Sequence, residues 1–270
     1  MTVQKLVHGT SQRLFVNSML SCPSSCAYCY LPDLGFEIGK KDECSISSEE
    51  LIALIENNRS FICGRAGTVL SFGCYSECWS SQTRFITKEV IGHFLKGGNP
   101  IQFATKRYVE SNQLHDLVCN VLWQGQLTVN ISSSTVSKWK SYEKGTSNPE
   151  MRFASFNVIH DLGLPAYLYI KPVIDGVTIL DLDYYKELII EKKVFGVIVG
   201  SIFSPVGALP PHMVSPIGDG LLECKPCKDE FIIQQELEKV TTVFSTSLEV
   251  VEYWRKQERV RNEWGEVVVV

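Results

Sequence analysis

At 270 residues, 44% apolar and 21% charged, the chain has hydrophobic material for one large α/β domain or two small ones, and no bias of a disordered or fibrous protein. A net charge of −4 argues against a main partner that is a bare phosphate backbone, because such binding relies on clustered Lys and Arg. No apolar run is long enough for a membrane span, and Met1–His8 lacks the apolar core of a secretory segment. A cytoplasmic location is therefore expected, with the ten cysteines as metal ligands, reactive thiols or small buried residues rather than disulfides.

Residues 1–12 read as a lead-in. Arg13 to Leu20 is an extended apolar run that predicts a first strand, followed by a cysteine-bearing loop. Ser47-Ser-Glu-Glu50 is a capping box opening a helix that ends near Asn57-Asn58. Strands are expected at 67–73, 101–106, 127–132, 166–171 and 195–200. Helices are expected from Thr87 to the Gly97-Gly98-Asn99-Pro100 stop, over 110–123, from Pro149 to Leu162 and from Tyr184 to Lys192. Strand and helix thus alternate about six times with short connections. That rhythm predicts right-handed βαβ units in a parallel sheet, as a curved, partial (β/α)6 barrel or an open doubly wound sheet.

Residues 1–203 read as this core and 204–270 as a C-terminal extension packed on it. Within the extension, 204–216 is too rich in Pro for a regular element, and Cys224-Lys-Pro-Cys227 forms a CxxC. Residues 230–239 and 247–264 look helical with Gly265 as a stop, and Glu266–Val270 suits a final strand. In a barrel, chemistry collects at the C-terminal ends of the strands. The polar residues expected there are Cys74 with Ser76 and Glu77, then Lys106, then Ser132 to Ser134, then Lys171.

The stretch richest in chemistry is Cys22-Pro-Ser-Ser-Cys26-Ala-Tyr28-Cys29-Tyr30, with cysteines at i, i+4 and i+7. Three thiolates on one short loop can close around one face of a four-iron cluster and leave the fourth iron without a protein ligand. A closed structural zinc site would want four ligands, and no His or Cys follows at the usual second-pair spacing. A zinc site and a redox loop remain alternatives at this point. Cys63 and Cys119, in apolar surroundings, read as buried thiols. None of the five histidines is paired at ligand spacing.

The cysteine loop, with an aromatic before its last Cys, resembles the signature of the radical S-adenosylmethionine (radical SAM) superfamily. Within it, four pieces over roughly residues 15–180 resemble the spore photoproduct lyase branch. They are Cys26-Ala-Tyr28-Cys29-Tyr30-Leu31, Ser71-Phe-Gly-Cys74-Tyr-Ser76-Glu77, Phe103-Ala-Thr-Lys106, and Ser141-Tyr-Glu143-Lys-Gly-Thr146 running on to Arg152. The resemblance implies a partial (β/α)6 TIM-like barrel. It also implies an enzyme that cleaves S-adenosylmethionine reductively at a [4Fe-4S] cluster, giving a 5′-deoxyadenosyl radical that abstracts hydrogen from substrate. It implies that Cys22, Cys26 and Cys29 bind the cluster, that Ser76, Glu77, Lys106 and Ser132 hold S-adenosylmethionine, and that Tyr28 lies against the adenine. Cys74 would end the reaction by hydrogen-atom donation, assisted by Tyr30.

An electron donor such as a flavodoxin or ferredoxin is implied, with no membrane partner. Nucleic acid is a candidate substrate alongside peptides and small molecules. Two departures bear on that choice: Glu77 stands where the branch has Asp, and Lys144 where it has Pro. The branch's later, lesion-clasping segments are not recognisable, which puts a DNA-repair substrate in doubt while leaving the cofactor chemistry intact. Lys225 and Lys228 are expected to acidify the Cys224 and Cys227 thiols, and Cys44 and Cys78 are candidate partners of that pair. The rival readings are a non-catalytic iron–sulfur module and a zinc-stapled interaction protein.

Overall fold

The computed structural model describes residues 6–40, 46–205, 222–257, 259–261 and 267–269. The chain runs through β1 (Val7–Gly9), β2 (Arg13–Val16), β3 (Ser25–Cys26), α1 (Ser48–Glu56), β4 (Val69–Phe72), α2 (Arg84–Lys96) and β5 (Ile101–Thr105). It continues through α3 (Ser111–Val118), β6 (Leu127–Ser132), α4 (Trp139–Tyr142), β7 (Glu143–Lys144), α5 (Pro149–Asp161), β8 (Ala166–Ile170), α6 (Leu182–Glu191) and β9 (Gly196–Val199). The remainder is β10 (Ile202–Pro205), β11 (Leu222–Lys225), α7 (Lys228–Leu237), β12 (Val243–Phe244), α8 (Ser247–Lys256), β13 (Arg259–Arg261) and β14 (Val267–Val269).

One eight-stranded sheet carries the fold, in the order β1-β2-β4-β5-β6-β8-β9-β12. Only the β1–β2 pairing is antiparallel. The expected partial barrel is what forms, and it does not close, since β1 and β12 are its two edges. The starts of the helices follow from the sequence. The Ser47 hydroxyl accepts from the Glu50 amide while the Glu50 carboxylate accepts from the Ser47 amide. Asn148 caps α5 by accepting from the Met151 amide at 2.7 Å, with Pro149 in the first turn.

Each strand sends alternate residues to opposite faces, and the two faces differ in chemistry. Leu14, Leu70, Ile101, Phe103, Val129, Ile131 and Leu168 join the apolar core. The residues between them, Phe15, Ser71, Gln102, Ala104, Asn130 and Tyr169, face a cavity inside the barrel. A fully buried Leu, Ile or Phe stabilises by about 1.5–3 kcal/mol, so the outer layer carries most of the driving force and the lumen stays polar.

Several expectations change. Residues 7–9 of the lead-in form the edge strand β1, antiparallel to β2. Ser204 and Pro205, inside the Pro-rich stretch, pair with β11 in a two-stranded ribbon, at an edge where Pro's missing donor is harmless. The rest of that stretch lies outside the described residues. Beyond it the βα rhythm resumes rather than breaks, because α7 leads to β12, parallel to β9.

The last helix stops at Lys256, not near 264, and Arg259–Arg261 pairs antiparallel with Val267–Val269, so strand pairing replaces the expected helix end. Gly265 lies outside the described residues. Cys63 and Cys119 are exposed, not buried, each next to a helix C-terminal carbonyl, Gly97 and His115 respectively. No helix among the described residues is long and apolar enough to cross a membrane.

Residues 222–257 pack against the rest of the chain. Trp254 Nε1 donates to the Tyr167 hydroxyl at 2.7 Å, Arg13 Nη1 donates to Ser247 Oγ, and the Gly176 amide donates to Asp229. Tyr167, Ile198, Phe244, Val250 and Trp254 form an apolar plug at the N-terminal end of the barrel. The cavity wall runs from Arg13 and Ser247 to residues at the C-terminal strand ends, among them Lys106 and Lys171.

Candidate active site

The cysteine loop leaves β2 and is fastened at two places. Ser25 and Cys26 form β3, which pairs antiparallel with Glu143 and Lys144 of β7, and the Ala27 amide donates to the Tyr142 carbonyl. Cys22 bridges to Ile38 on the other side. Cys22, Cys26 and Cys29 are all free, partly exposed and on the wall of the cavity inside the barrel.

Burial pushes the Cys22 thiol up to about 12, with Glu77 adding to the effect, and pushes Cys26 up to about 11 against the pull of Lys106. Cys29 is raised as well, again by burial first. Three such thiols become thiolates only when a positively charged group takes them. Among the described residues no three His, Cys, Asp or Glu side chains converge as the ligands of a single ion do. A four-iron cluster takes its thiolates farther apart, and a three-sulfur donor set suits it.

All ten residues singled out from the sequence line this cavity: Cys22, Cys26, Tyr28, Cys29, Tyr30, Cys74, Ser76, Glu77, Lys106 and Ser132. Their surroundings differ. Lys106 Nζ donates to Ser132 Oγ at 2.8 Å and sits 5.6 Å from the centre of the Tyr28 ring. Ser76 Oγ is buried and has no hydrogen-bond partner among the described residues, which leaves it open to a ligand.

Glu77 is engaged on both oxygens. Oε1 accepts from Thr105 Oγ1 at 2.6 Å and from the Trp79 amide, and Oε2 accepts from the Lys106 amide at 2.9 Å. It therefore pins the end of β5 and aims Lys106. Gly73, at φ +92°, makes the turn that delivers this segment, and a Cβ there would lie 2.5 Å from the Ala104 carbonyl.

Tyr30 and Cys74 meet: the Tyr30 hydroxyl donates to the Cys74 carbonyl at 2.8 Å and lies 3.6 Å from its Sγ. Burial, then Cys74, drives the Tyr30 phenol well above its ordinary range, so it stays protonated. Tyr28 is tied down at its tip, with its hydroxyl donating to Glu143 Oε1 at 2.6 Å.

Sequence reading recognised the Glu143 to Arg152 stretch but gave it no task. The structure makes it a fully buried ion pair at 2.6 Å. Arg152 also donates to the Ser132 and Ser147 carbonyls and to Thr146 Oγ1, while Glu143 also accepts from the Ser134 amide. Burial alone would raise the Glu143 carboxyl, but Arg152 and Lys106 outweigh it and hold it below the ordinary range. The pair locks the 143–147 loop to the end of β6, and through β7 it locks the cysteine loop.

Other expectations are not met. Cys224 is buried in β11 and Cys227 precedes α7, and burial raises both thiols rather than leaving them acidified. Cys78 is buried in the core with its Sγ on the Ala104 carbonyl, and Cys44 lies outside the described residues. Missed by the sequence reading were Arg13, Gln102, Asn130, Tyr169 and Phe203, all on the cavity wall. For Gln102 and Asn130 a signal existed: each is a polar residue between apolar ones in a strand buried on both sides.

No protein-family model matches the sequence, and no curated protein matches it. Solved structures match it in fold. One is a spore photoproduct lyase mutant with bound AdoMet and dinucleoside spore photoproduct, at TM-score 0.56 and 14% identity over 89% of this chain and 74% of that one. Streptococcus suis SuiB bound to S-adenosylmethionine matches at TM-score 0.57 and 11% identity over 88% of this chain and 52% of SuiB. SuiB bound to its precursor peptide SuiA matches at TM-score 0.55 and 10% identity. The chain thus spans about half of SuiB and about three quarters of the lyase. The chain shares the fold of both, and its open eight-stranded sheet is a partial barrel.

Proposed function

We propose that the chain is a cytoplasmic radical SAM enzyme. The observation that carries this is the convergence of three free cysteines, from a loop at the C-terminal end of β2, with Ser76, Lys106, Ser132, Cys74 and Tyr30 on one cavity wall. Cys22, Cys26 and Cys29 would hold a [4Fe-4S] cluster, which supplies an electron to S-adenosylmethionine and so the 5′-deoxyadenosyl radical that takes hydrogen from substrate.

The chain's own residues serve that chemistry in distinct ways. Lys106 presents a cation, Ser132 a hydroxyl and Ser76 an unpartnered hydroxyl at the rim, which suits the carboxylate, amine and ribose of S-adenosylmethionine. Glu77 keeps Lys106 in place. The Cys74 thiol, with the protonated Tyr30 phenol 3.6 Å away, is positioned to return a hydrogen atom to a substrate radical.

The substrate reading favoured by the resemblance is a nucleic acid. A peptide is the second reading, favoured by the equal likeness to SuiB, whose structure holds a precursor peptide. A flavodoxin or ferredoxin would supply electrons.

The test is anaerobic reconstitution with iron and sulfide, reduction, addition of S-adenosylmethionine and quantification of 5′-deoxyadenosine. Product that disappears in Cys26→Ala supports the enzyme. A fully loaded cluster whose spectrum does not respond to S-adenosylmethionine refutes it. Salt-dependent binding of labelled DNA separates the substrate readings, and absence of binding at low salt removes nucleic acid.

A further inference from the structure

Two lysines end neighbouring stretches of the barrel rim, and they are treated differently. Lys106, after β5, has Ser132 as a partner and Glu77 beneath it. Lys171, after β8 and separated from Lys106 by β6, has no hydrogen bond and no ion pair among the described residues, yet it lines the same cavity. The carboxylates nearest in charge terms are taken: Glu230 accepts from Ser201 Oγ, and Glu249 accepts from the Ser245 amide and Thr246. Its stem lies across Gly200, where an added Cβ would come within 3.0 Å of Cδ, Cε and Nζ, so the ammonium is confined to the cavity.

On the cavity side it meets an aromatic ring. Nζ stands 5.0 Å from the centre of the Phe203 ring, and the opposite neighbour of that ring is Tyr30, edge-on at 5.6 Å. Lys171 is thus one ring away from the Tyr30–Cys74 pair. Below it the lumen offers more unused polarity. Asn130 is 2% exposed and makes no side-chain hydrogen bond among the described residues, and Gln102, equally buried, gives its amide to Ser71 Oγ but leaves Oε1 without a donor. Arg13 adds a second positive charge to the same cavity. A half-buried cation with no ion pair among the described residues, in a cavity that also holds buried amides with unmet hydrogen bonds, costs stability unless a ligand completes it. Burial lowers the Lys171 ammonium from its usual range, with Cys224 opposing that shift and Arg13 adding to it, and a bound anion would favour the charged form.

We propose that the substrate carries an anionic group, a carboxylate or a phosphate, that Lys171 binds on the β8–β9 wall of the cavity, and that the substrate then extends over Asn130 and Gln102 to reach Cys74. This deepens the function proposed above and rests on it for the word substrate, but the anion site itself is independent of the cluster. The subsite is distinct from the Lys106 position, and it selects small or terminal anions that fit inside a barrel rather than an extended neutral chain.

The experiment uses inorganic phosphate and succinate as probes, with isothermal titration of the reconstituted protein in the absence of S-adenosylmethionine. Saturable binding of either anion is expected, weakened at least about tenfold in Lys171→Met and within about twofold of wild type in Lys96→Met, an exposed lysine at the end of α2. Whichever probe binds more tightly identifies the carboxylate or the phosphate as the group recognised. A wild-type measurement guards against a misfolded variant: bound anion should slow peptide-resolved acetylation of Lys171 and not of Lys96. No saturable binding of either probe, affinity unchanged by Lys171→Met, or loss that follows Lys96 instead would each overturn the proposal. Because the titration needs no S-adenosylmethionine, a failure of S-adenosylmethionine cleavage would count against the enzyme reading alone.

Discussion

Replacing Arg152 with Met tests the claim that a buried ion pair holds the cysteine loop. Arg152 and Glu143 are both fully buried, and Arg152 makes four hydrogen bonds, to Ser132 O, Glu143 Oε2, Thr146 Oγ1 and Ser147 O. The Met variant keeps most of the volume and leaves the Glu143 carboxylate inside the protein with only the Tyr28 hydroxyl and the Ser134 amide. Removing one partner of such a pair costs about 3–5 kcal/mol. In a chain of this size each kcal/mol lowers the melting temperature by roughly 2–4 °C, so a fall of about 10 °C is expected.

Urea unfolding followed by far-ultraviolet circular dichroism measures the loss, and the double variant with Glu143→Gln completes the cycle. Its cost should fall below the sum of the single costs by at least about 1 kcal/mol, because it buries no unpaired charge. Hydrogen exchange gives the local consequence. The Ala27 amide, bonded to the Tyr142 carbonyl, should exchange faster in Arg152→Met. A loss under about 1 kcal/mol, additive single effects, or unchanged exchange at Ala27 would refute the reasoning.

Glu143 also sets a pH dependence. Its folded value is depressed, so between the ordinary carboxylate value near about 4.3 and the lower folded value the unfolded chain binds more protons. Stability from this group is therefore complete above that window and lost as pH falls through it. Urea midpoints taken from about pH 6 down to about pH 3.5 should fall less steeply in Glu143→Gln than in wild type. Gly73→Ala forces a side chain into φ +92° against the Ala104 carbonyl, and a loss of about 1–3 kcal/mol in urea unfolding is expected. Glu77→Ala strips the acceptor from Thr105 Oγ1 and from the Trp79 and Lys106 amides, each worth about 1–3 kcal/mol when orphaned. Glu77→Gln keeps an oxygen there and should unfold at a urea concentration between those of Ala and wild type.

The barrel was legible because its six principal strands are short apolar runs separated by helices with strong start signals, such as the Ser47–Glu50 box and Asn148-Pro149. What stayed hidden depended on distant partners. Val7–Gly9 and Val243–Phe244 are three and two residues long, and only their pairing with β2 and β9 makes them strands. The helix expected to run to 264 gives way after Lys256, where Arg259–Arg261 pairs with the nearby Val267–Val269 instead of continuing the helix. In the site, residue types at strand ends were readable, but occupancy was not. Nothing in the sequence distinguishes Glu77, with both oxygens taken, from Ser76, whose hydroxyl has no partner. Arg152 sits in the first turn of a helix, where an arginine normally faces water, and only the return of the 143–147 loop encloses it.

Satisfaction of hydrogen bonds sorts the buried polar groups by task. Asp181 accepts from Thr135 Oγ1 and from the Val136 and Ser137 amides, Glu77 accepts three bonds, and Glu143 is shared by Arg152, Tyr28 and Ser134. These groups are complete without a ligand, and they hold loops. Ser76, Asn130, the Gln102 carbonyl oxygen and Lys171 face the same cavity and are incomplete. A fold selected for stability alone would place apolar residues at those lumen positions, as it does one residue away at Phe103, Val129 and Ile131. The incomplete groups also fall in two places, Ser76 near the cysteines and Asn130, Gln102 and Lys171 deeper or across the barrel. One molecule bound at Ser76 would leave the second group unmet, which is why the proposed anion site is separate from the Lys106 position.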